Sequence, residues 1–333
     1  MARSSAKLWF VCCCSGVLLG LALQFWIFRI PVVYSLCLKT HLYDHVWWVD
    51  RPAKHLILGS SNAMNGVIPN TISRLNGLPL EHTLNLGLNG ATPFVMLRNF
   101  KIYLKKYNAP ERLDIVITPM MFEEYYCTAK DFEKIWLGHH QWSVLEKEGV
   151  TNSYFFPAML FWQCLRFDQQ EIFRQYHFNL LATRQSRGFQ PNYENGIQGE
   201  LKKNYFPRID ENFSWSQQQF NCLQEIIFLA NASHTRIYFV LTPLRRDLYV
   251  QYLEKSHLFL GLEMMLKSLG PQIWLGSMDP ACFNLENENF LNPDHLTNVG
   301  AEKFTRRIYA SVQKHKDMSP QKLLNLLQIK AIP

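Results

Sequence analysis

Dense runs of lysine or arginine are missing from this 333-residue chain, although its formal net charge is +7. Scattered cations do not build the positive groove that follows a nucleic-acid backbone, so no nucleic-acid partner is expected. No C-x-x-C pair occurs among the eight cysteines. Cys12, Cys13 and Cys14 share an apolar stretch, while Cys37, Cys127, Cys164, Cys222 and Cys282 stand alone. That spacing argues against a zinc site, and the odd number argues against a complete disulfide framework. One bridge stays open, without named partners. His139 and His140 are adjacent. Neighbouring residues rarely face one ion, and no carboxylate cluster follows at ligand spacing. Neither a metal nor an organic cofactor is expected. Charge is sparse at 18%, against 48% hydrophobic and 14% aromatic residues, which excludes a disordered chain.

One long apolar run is present. Leu8 to Phe28 is interrupted mainly by Ser15 and Gln24, with Arg3 and Lys7 before it and Arg29 after it. A helix of about 20 residues rises far enough to cross a bilayer core. No Ala-x-Ala-like site follows, and Trp9, Phe10 and Val11 ahead of Cys12 do not make a lipoprotein box. Residues 1–29 therefore read as an uncleaved signal anchor, a transmembrane helix with its amino terminus in the cytoplasm. Residues 30–50 read as an aromatic-rich connector ending in Trp47 and Trp48, residue types common at membrane interfaces. The expectation is a single-pass membrane protein whose globular domain, residues 51–313, is extracytoplasmic. Residues 314–333 form a tail.

Within that domain short apolar runs alternate with helical periodicity. His55–Leu58 ends at Gly59, and Thr83–Leu86 ends at Gly87. Leu113–Ile117 and Arg236–Leu241 each end at Thr-Pro, and Gln272–Leu275 is a shorter run. These are strand signals. Thr92 and Pro93 suit the N-cap and first position of a helix that Asn108-Ala-Pro110 stops. Further helices are expected along Phe220–Ala230, Met264–Leu269 and Phe304–Val312. The stretch from about 122 to 212 has no clear period and reads as a helical, aromatic-rich insertion. The tryptophans and tyrosines of residues 136–176 suit core packing first and sugar stacking second. Strands separated by helices imply an α/β fold, a parallel sheet in a three-layer α/β/α sandwich, with the ligand site beyond the carboxyl ends of the strands.

Three segments fall at those ends. Leu58-Gly-Ser-Ser-Asn62 follows the first strand and can present a serine hydroxyl above the sheet. Asn85-Leu-Gly-Leu-Asn-Gly90 follows the second, where glycine lets a backbone amide approach a substrate oxygen. Asn292-Pro-Asp-His295 precedes the last helix and puts a general base on a loop. Arg245 and Arg246 follow the fourth strand, where a solvated pair or an anion clamp are the two readings.

Taken in order, these segments resemble the SGNH/GDSL hydrolase superfamily over residues 51–313. That family has a Gly-x-Ser turn after its first strand, an Asn-x-x-x-x-Gly element, and an Asp-x-x-His motif before its final helix. The resemblance implies Ser61 as nucleophile, the N–H groups of Ser61 and Gly90 as oxyanion donors, and His295 as base. The run from Asp294 to Ala301 is similar to membrane-anchored members that act on bacterial surface polymers, the lipoteichoic-acid D-alanylation proteins and the alginate O-acetyltransferases. Two positions depart from the pattern. Asn292 stands where the family has its acid, and Thr118-Pro-Met-Met121 replaces a Gly-x-Asn-Asp block, removing an oxyanion amide. Asn62 or Asn89 would have to replace that amide. Asp294 is the alternative acid. Neighbours in an extended segment point apart, however, so residue 292, three positions back over a turn, is expected to reach the ring instead.

The function implied is a serine-dependent ester hydrolase or acyl transferase, of the O-acetyl type, acting on an acylated glycan or envelope polymer, beside an envelope-biosynthesis membrane partner. The alternative is a catalytically silent SGNH-like domain that binds glycan or scaffolds an envelope assembly, and Asn292 is its support.

Overall fold

The computed structural model describes residues 51–124, 185–189, 214–254 and 273–314, together with Ser15, Val49, Cys127 and Leu269. The chain divides into two compact units, residues 1–43 with 132–178 and residues 44–131 with 179–333. The description that follows concerns the second. The expected anchor lies outside the described residues except for Ser15, which is helical. So do the 264–269 helix, apart from Leu269, and most of the insertion. Among the described residues no helix is long and apolar enough to cross a membrane.

Five strands form one wholly parallel sheet: β1 (His55–Leu58), β2 (Thr83–Asn85), β3 (Arg112–Ile117), β4 (Arg236–Leu241) and β5 (Ile273–Gly276). Their order is β2-β1-β3-β4-β5. Continuous apolar runs produce this arrangement, because a sheet covered on both faces needs hydrophobic side chains on both. Helices α1 (Ser61–Gly66), α2 (Pro69–Asn76) and α6 (Asn298–Lys314) cover one face. There Ile57, Val116, Val240 and Leu275 meet Ala63, Ile72, Phe304 and Ile308. Helices α3 (Pro93–Lys106) and α4 (Gln217–Ala232) pack together on the other side, with α4 against β4. The order reverses direction between β1 and β3, the switch point where open α/β sheets place their ligands.

Local chemistry sets the boundaries. Thr92 Oγ1 accepts the Val95 N–H at 3.4 Å and Pro93 opens α3. Gly77, with φ of +62°, ends α2 in the left-handed conformation. Three helices and one hairpin depart from the sequence expectation. Helices α1 and α2 and α5 (Arg246–Glu254) are present where no helical period was read. His295 lies not on an open loop but in a small antiparallel hairpin, β6 (Phe290–Asn292) with β7 (His295–Leu296).

A polar cluster is buried at the amino end of the sheet, under α6. Asp114 is fully buried and takes Arg112 Nε at 2.6 Å and Nη2 at 3.1 Å. Tyr309 Oη donates to the same carboxylate. His55 Nε2 lies 2.8 Å from Asp114 Oδ2. The Arg112 guanidinium sits 4.0 Å above the Tyr238 ring. Burial alone would raise the Asp114 carboxyl, but Arg112 and His55 outweigh it and hold it well below the carboxylate range. Burial lowers the His55 pKa, against the opposing pull of the Asp114 charge.

Candidate active site

The turn after β1 is built for close approach. A side-chain carbon at Gly59 would lie 2.5 Å from Ala63 Cβ and 2.9 Å from Val116 Cβ, so only glycine fits between β3 and α1. Ser60 caps α1, accepting the Asn62 N–H at 3.4 Å. Ser61 is then the first helical residue, and such an N–H finds no carbonyl one turn back. Two further bonds carry the β1–β2 pairing past the strand ends: Leu86 N–H to Ile57 O at 2.8 Å and Leu88 N–H to Gly59 O at 3.0 Å. Asn85, wholly buried, locks the same corner. Its amide donates to Ala63 O at 2.7 Å and Val67 O at 2.9 Å, and its oxygen accepts Gly87 N–H at 2.8 Å. The loop carrying Asn89 and Gly90 is thereby registered against Ser61. Gly90 has φ of +66°, a conformation that favours glycine.

Ser61 Oγ lies 2.7 Å from His295 Nε2. These residues come from opposite ends of the domain and meet at the carboxyl end of β1. His295 Nδ1 faces two oxygens, Asp294 Oδ1 at 2.8 Å and Asn292 Oδ1 at 3.0 Å. Both are acceptors, so the ring proton belongs on Nδ1, which leaves the Nε2 lone pair toward the serine hydroxyl. Burial would lower the His295 pKa, but the Asp294 charge and its hydrogen bond raise it on balance.

The expectation that Asp294 points away from the ring is overturned. Pro293 and Asp294 form the hairpin turn between β6 and β7 rather than an extended segment, so adjacent side chains are not forced to opposite sides. Asn292 does reach the ring as expected, and its oxygen also accepts the backbone N–H of Asp294 at 3.2 Å and of His295 at 2.9 Å.

A cleft of about 130 Å³ opens beside the pair. Ser60, Asn62, Asn89, Ala91, Thr118, Pro119, Met120, Met121, Leu244 and Tyr252 line it with Ser61, Asp294 and His295. Gly90 itself is not among the lining residues, although its neighbours Asn89 and Ala91 are. Pro119 has no N–H, so the wall that replaces the missing block offers no amide at that position. Asn62 gives one of its two amide N–H groups to Asp294 O and accepts from Ser60 Oγ, which leaves the second N–H at the cleft wall. Arg245 and Arg246 are not brought to the cleft. Arg245 is buried rather than solvated and holds Asp247 at 2.6 Å, and Arg246 reaches Asp279 at 3.4 Å. Met120, Met121 and Leu244 were missed as lining residues. Their signal is the Thr-Pro that closes β3 and β4, which places the next residues at the site. Tyr252 shows itself only as a helical neighbour of the buried Leu248.

Parallel strands between helices, with a Ser–His pair at the carboxyl end of β1 beside the switch point, define an α/β protein whose site has the parts of a serine-type acyl-transfer centre. No family model matches the chain, and no curated protein matches it in sequence. Among solved structures it is similar to the crystal structure of a presumed acylhydrolase from Bacteroides fragilis. The likeness covers 86% of this chain and 96% of that one, with 11% identity and a TM-score of 0.36.

Proposed function

We propose that the protein is a serine-dependent acyl-ester hydrolase or acyltransferase of the SGNH type. The 2.7 Å approach of Ser61 Oγ to His295 Nε2 in an open cleft carries the reading. A nucleophile within hydrogen-bond reach of an oriented base is the minimal machinery for covalent acyl transfer. Ser61 Oγ attacks the acyl carbonyl carbon as its proton passes to Nε2. The Ser61 and Gly90 N–H groups stabilise the oxyanion of the tetrahedral intermediate. Its collapse expels the alcohol, protonated from Nε2, and leaves an acyl-serine. Water or a sugar hydroxyl, deprotonated by Nε2, then takes the acyl group. The substrate is an acylated envelope glycan or similar polymer, reached by a domain that residues 1–29 anchor outside the cytoplasm. The membrane-anchored surface-polymer enzymes that the Asp294–Ala301 run resembles support this choice.

The test is a fluorophosphonate probe followed by peptide mass mapping. Labelling should fall on Ser61 and vanish in Ser61→Ala and His295→Gln. A folded chain that leaves Ser61 unlabelled, with no Ser61-dependent hydrolysis of an acetyl ester, refutes the reading and leaves a silent binding domain.

A further inference from the structure

We infer that Asp294, directly before His295, is the carboxylate that positions the imidazole and balances its charge, and that Ser60 and Asn62 hold it in place from the nucleophile turn. The inference rests on the Ser61–His295 reading. Two oxygens compete for the Nδ1 proton. An amide oxygen has two lone pairs. Asn292 Oδ1 already accepts two backbone N–H groups, Asp294 at 3.2 Å and His295 at 2.9 Å. A third bond to the ring exceeds its capacity. Asp294 Oδ1, at 2.8 Å, is nearer and charged, and charge-assisted bonds are roughly twice as strong as neutral ones. Asn292 is therefore the cap of the hairpin turn, and the charge has moved two places along the chain.

A clamp explains how a sequence neighbour reaches the ring. The carbonyl of Asp294 is bound by Asn62 Nδ2, and Asn62 Oδ1 accepts from Ser60 Oγ at 3.0 Å. The carbonyl of Pro293 accepts the Arg245 N–H at 2.8 Å. Both peptide units of the turn are thus pinned from outside, and the Asp294 side chain is left facing the ring. The residue beside the nucleophile fixes the residue beside the base. Of the described titratable groups at the cleft, Asp294 contacts His295. Tyr252 on α5 lies by Asp294, its pKa pushed up by burial and by that carboxylate's charge. Burial opposes an imidazolium here, and only the carboxylate offsets it.

The measurement is the titration of His295 by NMR on the full chain, with the resonance assigned by its loss in His295→Gln, alongside kcat and KM on an acetyl ester. Asp294→Asn should lower the His295 pKa by about one unit or more, move the acid limb of kcat/KM the same way, and cut kcat by about 10²–10⁴ with KM little changed. Asn292→Asp should give no gain in kcat, because the carboxylate is already supplied. Asn62→Ala should cost about tenfold in kcat by loosening the clamp. An unchanged His295 pKa and kcat in a folded Asp294→Asn, with loss of both in Asn292→Ala, overturns the inference. If Asp294→Asn does not fold, the unmutated chain decides: a His295 pKa at or below 6.5 overturns the inference, because burial would then be unopposed. The titration reads the Asp294 contact even where no Ser61-dependent turnover exists, so failure of the function and failure of the inference are separate outcomes.

Discussion

Replacing Asp114 by asparagine removes the charge of a fully buried carboxylate. The carboxylate binds Arg112 through two nitrogens at 2.6 and 3.1 Å, meets His55 at 2.8 Å and accepts from Tyr309. Asparagine keeps the shape but turns an N–H₂ toward one of these donors and leaves the guanidinium uncompensated. Breaking a buried pair from one side costs about 3–5 kcal/mol. The Tyr238 face, 4.0 Å from Arg112, continues to stabilise the cation by up to about 2 kcal/mol. That attraction exists before and after the change, and a guanidinium freed from Asp114 can settle more fully over the ring, so the expected loss lies at the lower end, about 3 kcal/mol. For a domain of this size that lowers Tm by roughly 6–12 °C. Chemical denaturation of the full chain measures it, with Arg112→Met/Asp114→Asn as the control. The double variant should recover most of the loss, because the uncompensated charge is gone. A loss under about 1 kcal/mol in Asp114→Asn, or a double variant that is no better, refutes the view that this carboxylate neutralises a buried cation.

Acid should destabilise the fold in two steps. The folded His55 pKa is lowered from 6.5, so the unfolded chain binds its proton first and stability falls as pH drops below about 6.5. Asp114, lowered from 3.8, adds a second loss below about that pH. His295 has the opposite sign: its raised pKa contributes below 6.5 and fades as pH rises through the folded value. Denaturation midpoints from pH 8 to pH 3 follow these steps, and a His55→Gln variant with an unchanged slope between pH 6.5 and 5 rejects the assignment. Gly59→Ala should cost about 1–3 kcal/mol by overpacking against Ala63 and Val116. It should lower kcat more than it raises KM by tilting the Ser61 turn, and full activity with unchanged stability would contradict the packing read there.

The sheet was legible because its strands are apolar on both faces: His55–Leu58 and Arg236–Leu241 match the expected limits, and β3 begins one residue earlier. Gly59-Ser-Ser61 and Asp294-His295 were legible because chemistry at strand ends has a recognisable residue pattern. Helix α1 was hidden by its own function, since Asn62 and Asn65 break an apolar period and both are buried. Asp114 passed as part of an apolar strand because its partners Arg112, His55 and Tyr309 come from three different elements. The direction of the Asp294 side chain is a property of a turn clamped by Asn62 and Arg245, residues remote in sequence from the hairpin. Spacing along the chain carries no record of such a clamp.

The two ends of the insertion meet. Glu124 N–H donates to Ser214 O at 2.8 Å, Ser216 N–H donates to Phe122 O at 2.7 Å, and Glu123 bridges Trp215. The sheet-bearing unit is therefore stitched shut across a gap that the chain takes residues 125–213 to cross. Closing that gap with a few residues costs little in loop entropy. Among the described residues, Arg187 and Phe189 tie the insertion down: the Arg187 guanidinium donates to Glu81 O at 2.9 Å and Phe189 packs in the core. The Arg187 carbonyl accepts Asn85 N–H at 2.9 Å along the outer edge of β2. A shortened version that discards residues 185–189 bares a strand edge, and its first fault would be self-association through β2 rather than loss of the Ser61–His295 pair.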